Sequence, residues 1–283
     1  MILSSIHTPH SPRLYTPLHI GRGWGWVCLL FLFAIPSFAQ EEEPFVQKTS
    51  TNMIGVGRSE LLDTYLSPEK YHGTEIRYAF HSNKPLRWGK HLTQTMIHQG
   101  YFANTHNRAD NNDELAGGYN FQYHVRYNWR PAQGLLVAAG GGPDLNIGYV
   151  YNTRNTNNPA QLKASLNLAP SAMVRYDLPT RHFTFRFGYE VMTPLIGVMF
   201  SPNYGQSYYE IFNEGNKDHN VIFTTIAKTP SLRQMLSVDI RHRRWSKTWI
   251  RLGYLGDYQQ ARVNHLKYHD YSHLFILGVT KGF

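Results

Sequence analysis

Between Tyr119 and Arg130 the chain alternates without a fault. Tyr119, Phe121, Tyr123, Val125, Tyr127 and Trp129 are apolar or aromatic, and Asn120, Gln122, His124, Arg126, Asn128 and Arg130 are polar. Successive side chains of a β-strand point to opposite faces, so this stretch predicts a strand with one apolar and one hydrophilic face. The period recurs. Ile76, Tyr78 and Phe80 oppose Glu75, Arg77 and His81 within Tyr71–Ser82. Leu135–Tyr151 places Leu135, Val137, Ala139, Leu145, Ile147 and Tyr149 on one face, and Leu162–Leu178 repeats the pattern. Phe183, Phe185, Phe187, Tyr189 and Val191 interleave with Thr184, Arg186, Gly188 and Glu190.

Weaker signals fill in the rest. Thr51–Ser59 reads as a first strand or a plug segment, and Trp88–Phe102 as a strand of undetermined facing. Tyr204–Phe212, Asn220–Ala227, Leu232–His242, Thr248–Tyr258 and Tyr271–Phe283 read as further strands. Asn83-Lys84-Pro85 and Pro131-Ala132-Gln133-Gly134 carry turn chemistry, and Gly140-Gly141-Gly142 marks a bend, a bulge or a close backbone approach. Asn104–Glu114, Asn152–Pro159 and Gln259–Asp270 read as long polar loops that alternate with short turns at Arg130–Gly134, Pro179–Arg181 and Arg243–Lys247. Amphipathic strands joined alternately by short and long connections predict an all-β, closed antiparallel transmembrane barrel, of about twelve strands with ten as the alternative. The expected organisation is a signal peptide at 1–39, a periplasmic leader with the first strand or plug at 40–70, and the barrel at 71–283. A soluble sandwich is the competing all-β fold.

Composition sharpens this reading. Aromatics reach 14 % and Tyr alone counts 19, yet the mean hydropathy is −0.42. A transmembrane helix needs about 20 consecutive apolar residues; alternating strands hide a membrane face inside a hydrophilic average. The one long apolar run, Trp24–Ala39, follows Arg13 and Arg22 and ends in Ser37-Phe38-Ala39, the pattern of a signal peptide cleaved before Gln40. The sole cysteine, Cys28, lies within that run, so the exported chain needs no disulfide and thiol chemistry is excluded. With Arg13 and Arg22 removed, 26 of the 28 basic residues remain against 19 acidic ones. A basic exported protein suits anionic lipid or lipopolysaccharide better than nucleic acid, because its cations alternate with aromatics on opposite faces.

The last strand carries a resemblance. Phe275, Leu277, Val279 and the terminal Phe283 recur at every second position, with Lys281 interrupting the apolar alternates. This ending resembles the C-terminal assembly signal of Gram-negative outer-membrane β-barrel proteins, a class that also includes uncharacterised small-barrel families. The resemblance implies outer-membrane residence, the barrel-assembly machinery as a partner, and an N-terminus in the periplasm.

Polar faces that converge inside a barrel define the candidate site. The lumen-lining set is Glu75, Arg77, His81, His124, Arg126, Asp144, Arg175, Asp177, Arg186, Glu190, Arg233, Asp239, Arg241, Arg251 and Asp257. Charges in a confined space must pair or stay hydrated, so two readings compete: a salt-bridged filling, or an Arg-rich constriction that passes small polar or anionic solutes. The passage is the leading expectation and the closed structural barrel the alternative. A lipid or lipid-A hydrolase is a third, and it needs Ser82, Ser171 or Ser237 within reach of His81 or His124. Adjacent His81 and Ser82 would face opposite sides of a strand, so no catalytic residue is assigned. His265, His269 and His273 are spaced by fours with Asp270 among them, too loosely to define a metal centre. No cofactor is expected, since no P-loop, dinucleotide motif or zinc-protease motif occurs.

Overall fold

The computed structural model describes residues 45–283. The expected signal peptide and residues 40–44 of the leader lie outside the described residues. The elements in order are β1 (Thr49–Asp63), β2 (Tyr71–Pro85), β3 (Leu92–Asn107), β4 (Asp113–Ala132), β5 (Leu135–Asn152) and β6 (Ala160–Pro179). Then follow β7 (Phe183–Met192), β8 (Ile196–Phe200), the short helix α1 (Tyr208–Phe212), β9 (Val221–Thr225), β10 (Leu232–His242), β11 (Thr248–Val263) and β12 (Leu266–Gly282).

Ten strands close on themselves. The ring runs β1 to β7 in sequence, then β10, β11 and β12, and β12 returns to β1 across a register from Thr49↔Gly282 to Asp63↔Tyr268. Every pairing is antiparallel. The alternative of ten strands is therefore the stave count, and twelve is the number of strands among the described residues. The extra two are β8, which continues β7 along the upper part of β6, and β9, which pairs only with β8. A closed ring leaves no free edge where it is complete.

The alternation seen in the sequence becomes inside and outside. On β2, Glu75, Arg77 and Ala79 are buried in the lumen while Ile76 and Tyr78 are more than half exposed outside. Ile54, Val56, Tyr127, Trp129, Leu168, Phe187, Leu236, Phe275 and Leu277 continue that exposed apolar surface around the ring. A contiguous apolar band of this extent is far larger than a water-soluble monomer exposes, and a lipid bilayer is the solvent that accepts it. Only a structure that satisfies its backbone internally crosses that solvent, and a closed ladder does so.

Several sequence expectations are corrected. Thr51–Ser59 belongs to β1, a full stave paired to β2 and β12, and not to a plug. β3 begins at Leu92, leaving Trp88 in the preceding turn, 88 % exposed. The expected loop Asn104–Glu114 shrinks to residues 108–112, and Gln259–Asp270 is no loop. It is strand, a two-residue turn and strand, with Asn264 and His265 at φ 50° and 62°. Asn tolerates that left-handed conformation, which suits a tight hairpin. Along Gln259–Asp270 the alternation is reversed, with Ala261, Val263 and Leu266 buried inside and Arg262 and Lys267 exposed outside, which hides the strand pattern. Tyr204–Phe212 holds α1 instead of a strand. Ser207 caps it by accepting from the Glu210 N–H at 3.2 Å while the Glu210 carboxylate accepts from the Ser207 N–H at 2.7 Å. The glycine triplet is a close approach: a Cβ on Gly140 or Gly142 would sit 2.0 Å from the carbonyl oxygen of Val125 or Tyr123.

Both described ends of the chain meet at the short-turn end of the barrel. The Phe283 N–H donates to the Lys48 carbonyl at 3.0 Å, and the Lys48 ammonium lies 4.7 Å from the Phe283 ring centroid. Phe45 packs on His91 and under Arg130, whose guanidinium donates to the Phe45 carbonyl.

Candidate functional site

The lumen is filled in tiers. The middle tier is built on Arg77 of β2, whose side chain is only 3 % exposed. Its Nε donates to Glu75 at 2.7 Å, one Nη to Asp257 of β11 at 2.6 Å and to Gln99 of β3 at 3.3 Å, and the other to Ser272 of β12 at 3.2 Å. The Ser272 hydroxyl in turn donates to Glu75 at 2.5 Å. Asp257 also holds Arg233 of β10 at 2.9 Å, and Arg233 reaches across the lumen to Asn120 of β4 at 2.9 Å. Asp144 of β5 accepts from Asn120 and Asn146 at 2.7 Å each and from Asn167 of β6 at 3.3 Å. This one connected girdle spans β2, β3, β4, β5, β6, β10, β11 and β12.

Every charge in the girdle faces an opposite one or several amide donors. That is the condition for keeping ions out of bulk water, because removing either partner from such a pair costs about 3–5 kcal/mol. Above and below it the lumen is packed as well. Met53, Ala79, Met235, Leu255, Leu274 and Ile276 form an apolar cluster. Toward the long-loop end, Leu61, Leu66, Tyr71, Ala103, Ala116 and Val150 form another.

A second tier joins β4, β6 and β7. Arg126 pairs with Glu190, donates to Ser171 at 2.9 Å and lies 3.4 Å from His124 Nδ1. His81 faces a cavity of about 30 Å³ beside Glu190, Arg233 and Met53. The third tier lies toward the short-turn end. There Arg186 grips Asp177 through two donors at 2.7 and 3.0 Å, Arg175 stands 3.6 Å from the same carboxylate, and Arg251 grips Asp239 at 2.6 and 2.9 Å. Arg186 and Arg241 lie over Trp249, 4.2 and 4.5 Å from its ring centroid. Below them opens a vestibule of about 440 Å³ lined by Thr184, Arg241, Arg243 and Trp245.

All fifteen sequence-selected residues fall within these tiers, but they divide into three neighbourhoods rather than one ring. Five of the arginines, Arg77, Arg126, Arg186, Arg233 and Arg251, hold carboxylates and so do not present free guanidinium groups to a solute. Sequence reasoning missed a fourth group near the long-loop end. Lys163 pairs with Asp63 at 2.7 Å and lies 3.8 Å from the Tyr268 ring centroid, Asp270 accepts from Tyr101 at 3.1 Å, and Glu114 accepts from Asn152 at 3.0 Å. The sequence places Asp63, Glu114 and Asp270 in leader or loops; the signal for the lumen is that each shares its strand face, two positions away, with buried Leu61, Ala116 or Ser272.

Among the described residues no Ser hydroxyl is hydrogen-bonded to a His ring. Ser171 serves Arg126, and His124 lies against the same guanidinium. The three histidines spaced by fours go separate ways: His265 is in the turn, His269 stacks on Tyr271 and contacts Glu60 at 3.3 Å, and His273 bonds Tyr254 at 2.6 Å. Beside them, in the β1–β2 loop, the hydrogen bond from Lys70 to Glu60 raises the Lys70 ammonium above its ordinary pKa.

A closed antiparallel ring with an apolar exterior and a polar, ion-paired interior defines a transmembrane β-barrel of the outer-membrane type. By sequence, residues 26–283 match the family described as protein of unknown function (DUF3316), and the chain belongs to that family. A comparison with curated protein sequences finds no match. Among solved structures the chain is similar to the transport unit of the autotransporter AIDA-I from Escherichia coli, at 10 % identity and a TM-score of 0.44, over 92 % of this chain and 98 % of that one. It is similar to the outer-membrane protease OmpT from Escherichia coli, at 5 % identity and 0.45, over 86 % and 99 %. An outer-membrane channel from Pseudomonas putida F1 matches at 10 % identity and 0.35, over 89 % and 98 %.

Proposed function

We propose that the protein is an exported outer-membrane barrel whose axial lumen is closed at rest, a structural or surface barrel rather than an open pore for small anions. The observation that carries this reading is the Glu75–Arg77–Asp257–Arg233–Asp144 girdle, which crosses the lumen with side chains no more than 10 % exposed. An Arg-rich selective passage would need guanidinium groups facing open space, as in rings that attract anions, and here they are spent on carboxylates. Liposome swelling with the full chain tests this. Vesicles in isosmotic arabinose or taurine should swell no faster than empty ones, and rapid swelling would restore the passage reading.

The signal peptide, a periplasmic N-terminus, and contacts with lipopolysaccharide and the barrel-assembly machinery belong to the same proposal. No nucleic-acid, metal or cofactor role is part of it. The terminal Phe283, seated against Lys48, supports an assembly role for the last strand. Deleting Phe283 should lower the yield of heat-modifiable barrel in cells without altering barrels refolded in detergent.

A further inference from the structure

The wall of the barrel is broken on two neighbouring strands at one height. β7 gives way to β8 at Thr193-Pro194-Leu195, and opposite it β9 gives way to β10 through residues 226–231. Ile196 pairs with Thr225 and Met192 with Arg233, so three residues on one side face seven on the other, and the longer segment must bulge from the ladder. Pro194 and Pro230 cannot donate to a ladder there.

The consequence is an unpaired edge. β9 is the terminal strand of the sheet order, and beyond Tyr258 β11 pairs only with β12. Among the described residues only two backbone N–H groups span the seam, that of Arg262 to the Lys228 carbonyl at 2.9 Å and that of Gln260 to the Ser231 hydroxyl at 3.2 Å; at its end the Asn264 amide donates to the carbonyls of His219, Ser201 and Pro202 at 3.0, 3.1 and 3.3 Å. On the outer side stand Leu195, Ile196, Val198, Val221, Phe223 and Ile226, between 41 and 73 % exposed. Irregular backbone facing lipid is costly and is retained where it lines a cavity.

A cavity lies behind this seam. It measures about 70 Å³ and is walled by Met192, Pro194, Met199, Thr224, Ser231 and Leu232 of the broken strands. Its charged lining on the interior side is Asp144, Asp257, Lys163 and Arg233, two of each sign. Arg233 spends its Nη atoms on Asp257, Asn120 and Asp144, but its buried Nε–H has no acceptor. A buried donor left without an acceptor loses about 1–3 kcal/mol, so an oxygen delivered to it is favoured.

We infer that the seam is a lateral portal through which the head of a neutral single-chain amphiphile enters from the bilayer while its tail stays in lipid. Size sets the first half: a water occupies roughly 30 Å³ of liquid, so the cavity admits a hydroxyl or carbonyl head and not a chain. Charge sets the second. With two cations and two anions already balanced, one free donor recruits a neutral acceptor, and an added negative charge would face Asp144 and Asp257. This inference goes beyond the closed axial lumen and does not depend on it.

The test uses the full chain in phosphatidylcholine vesicles with a Met199→Trp reporter facing the cavity. A Val198→Trp reporter on the same strand faces lipid, and each is read as the difference from the parent. The quencher is 11-bromoundecanol, with 11-bromoundecanoate as its charged counterpart. Quenching at position 199 should saturate and be displaced by undecanol, while quenching at 198 rises only with partition into the bilayer. In a Cys28→Ser background, a disulfide between Lys228→Cys and Arg262→Cys, whose backbones are already hydrogen-bonded, should lower the apparent affinity at position 199 by about tenfold or more until reduced. Identical, unsaturable quenching at both positions would overturn the site. Saturable quenching indifferent to the cross-link would overturn the portal, and equal binding of the carboxylate would overturn the neutral head. Swelling and conductance, which read the axial lumen, remain a separate outcome.

Discussion

Replacing Arg77 with methionine keeps most of the side chain's volume and removes donors that now serve Glu75, Gln99, Asp257 and Ser272. Two carboxylates would lose the Arg77 cation, and Glu75 would be left without any. Glu75 is 0 % exposed, and Asp257 retains Arg233 alone as a cationic partner. Breaking a buried pair from one side costs about 3–5 kcal/mol, roughly a hundredfold to several-thousandfold in the folding constant. Urea unfolding in phospholipid vesicles, followed by tryptophan fluorescence and extrapolated linearly, measures it. Adding Glu75→Gln to Arg77→Met should restore about 1 kcal/mol or more, because one stranded charge is gone. A loss below about 1 kcal/mol for Arg77→Met, the range of exposed ion pairs, would mean that water solvates the girdle and that the lumen is not closed by it.

Other consequences are smaller in scope. Gly142→Val would drive its side chain into the Tyr123 carbonyl, 2.0 Å from the new Cβ, so the heat-modifiable band on a gel should be lost while Ala139→Val, on the outer face, leaves it intact. Ser207→Ala removes the cap of α1 and should speed amide hydrogen exchange at Glu210 by roughly fivefold, the equivalent of about 1 kcal/mol locally, without moving the global urea midpoint. Lys70→Met, at an exposed pair with Glu60, should change stability by less than about 1 kcal/mol, and a larger loss would show that this pair is shielded from solvent.

The barrel was legible wherever a strand separates lipid from lumen. Tyr119–Arg130 and Phe183–Val191 alternate because one face needs hydrocarbon and the other needs partners. Legibility failed where that asymmetry reverses. Gln259–Val263 and Leu266–Asp270 carry their apolar residues (Ala261, Val263, Leu266) on the inner face and polar ones (Gln260, Arg262, Lys267) outside, the reverse of the other staves, so a search for an apolar outer face reads them as a loop around Asn264 and His265. One further segment departs from its expected type. Tyr204–Phe212 has aromatic residues in a strand-like density, but the capping pair Ser207 and Glu210 favours a helical turn. As for the site, alternation identified which charged residues share the lumen. It did not identify which partner each one takes, because Arg77 and Asp257 are 180 positions apart and meet only through closure of β1 on β12.

Closure also decides what the arginines can do. In sequence their excess over acids in the lumen set suggested attraction of anions, whereas the register places a carboxylate or an aromatic ring against each of them. The vestibule at the short-turn end, with Arg241 and Arg243 in its wall, is an open basic surface that leads up to the packed tiers.

Single-channel recording of the full chain in a planar bilayer is the most direct test of a lumen closed by its own ion pairs. The account requires a silent wild type in membranes where insertion is verified by protease protection, and discrete conductance once Arg77→Ala and Arg233→Ala are combined to open the girdle. Discrete, anion-preferring steps from the wild type would contradict it.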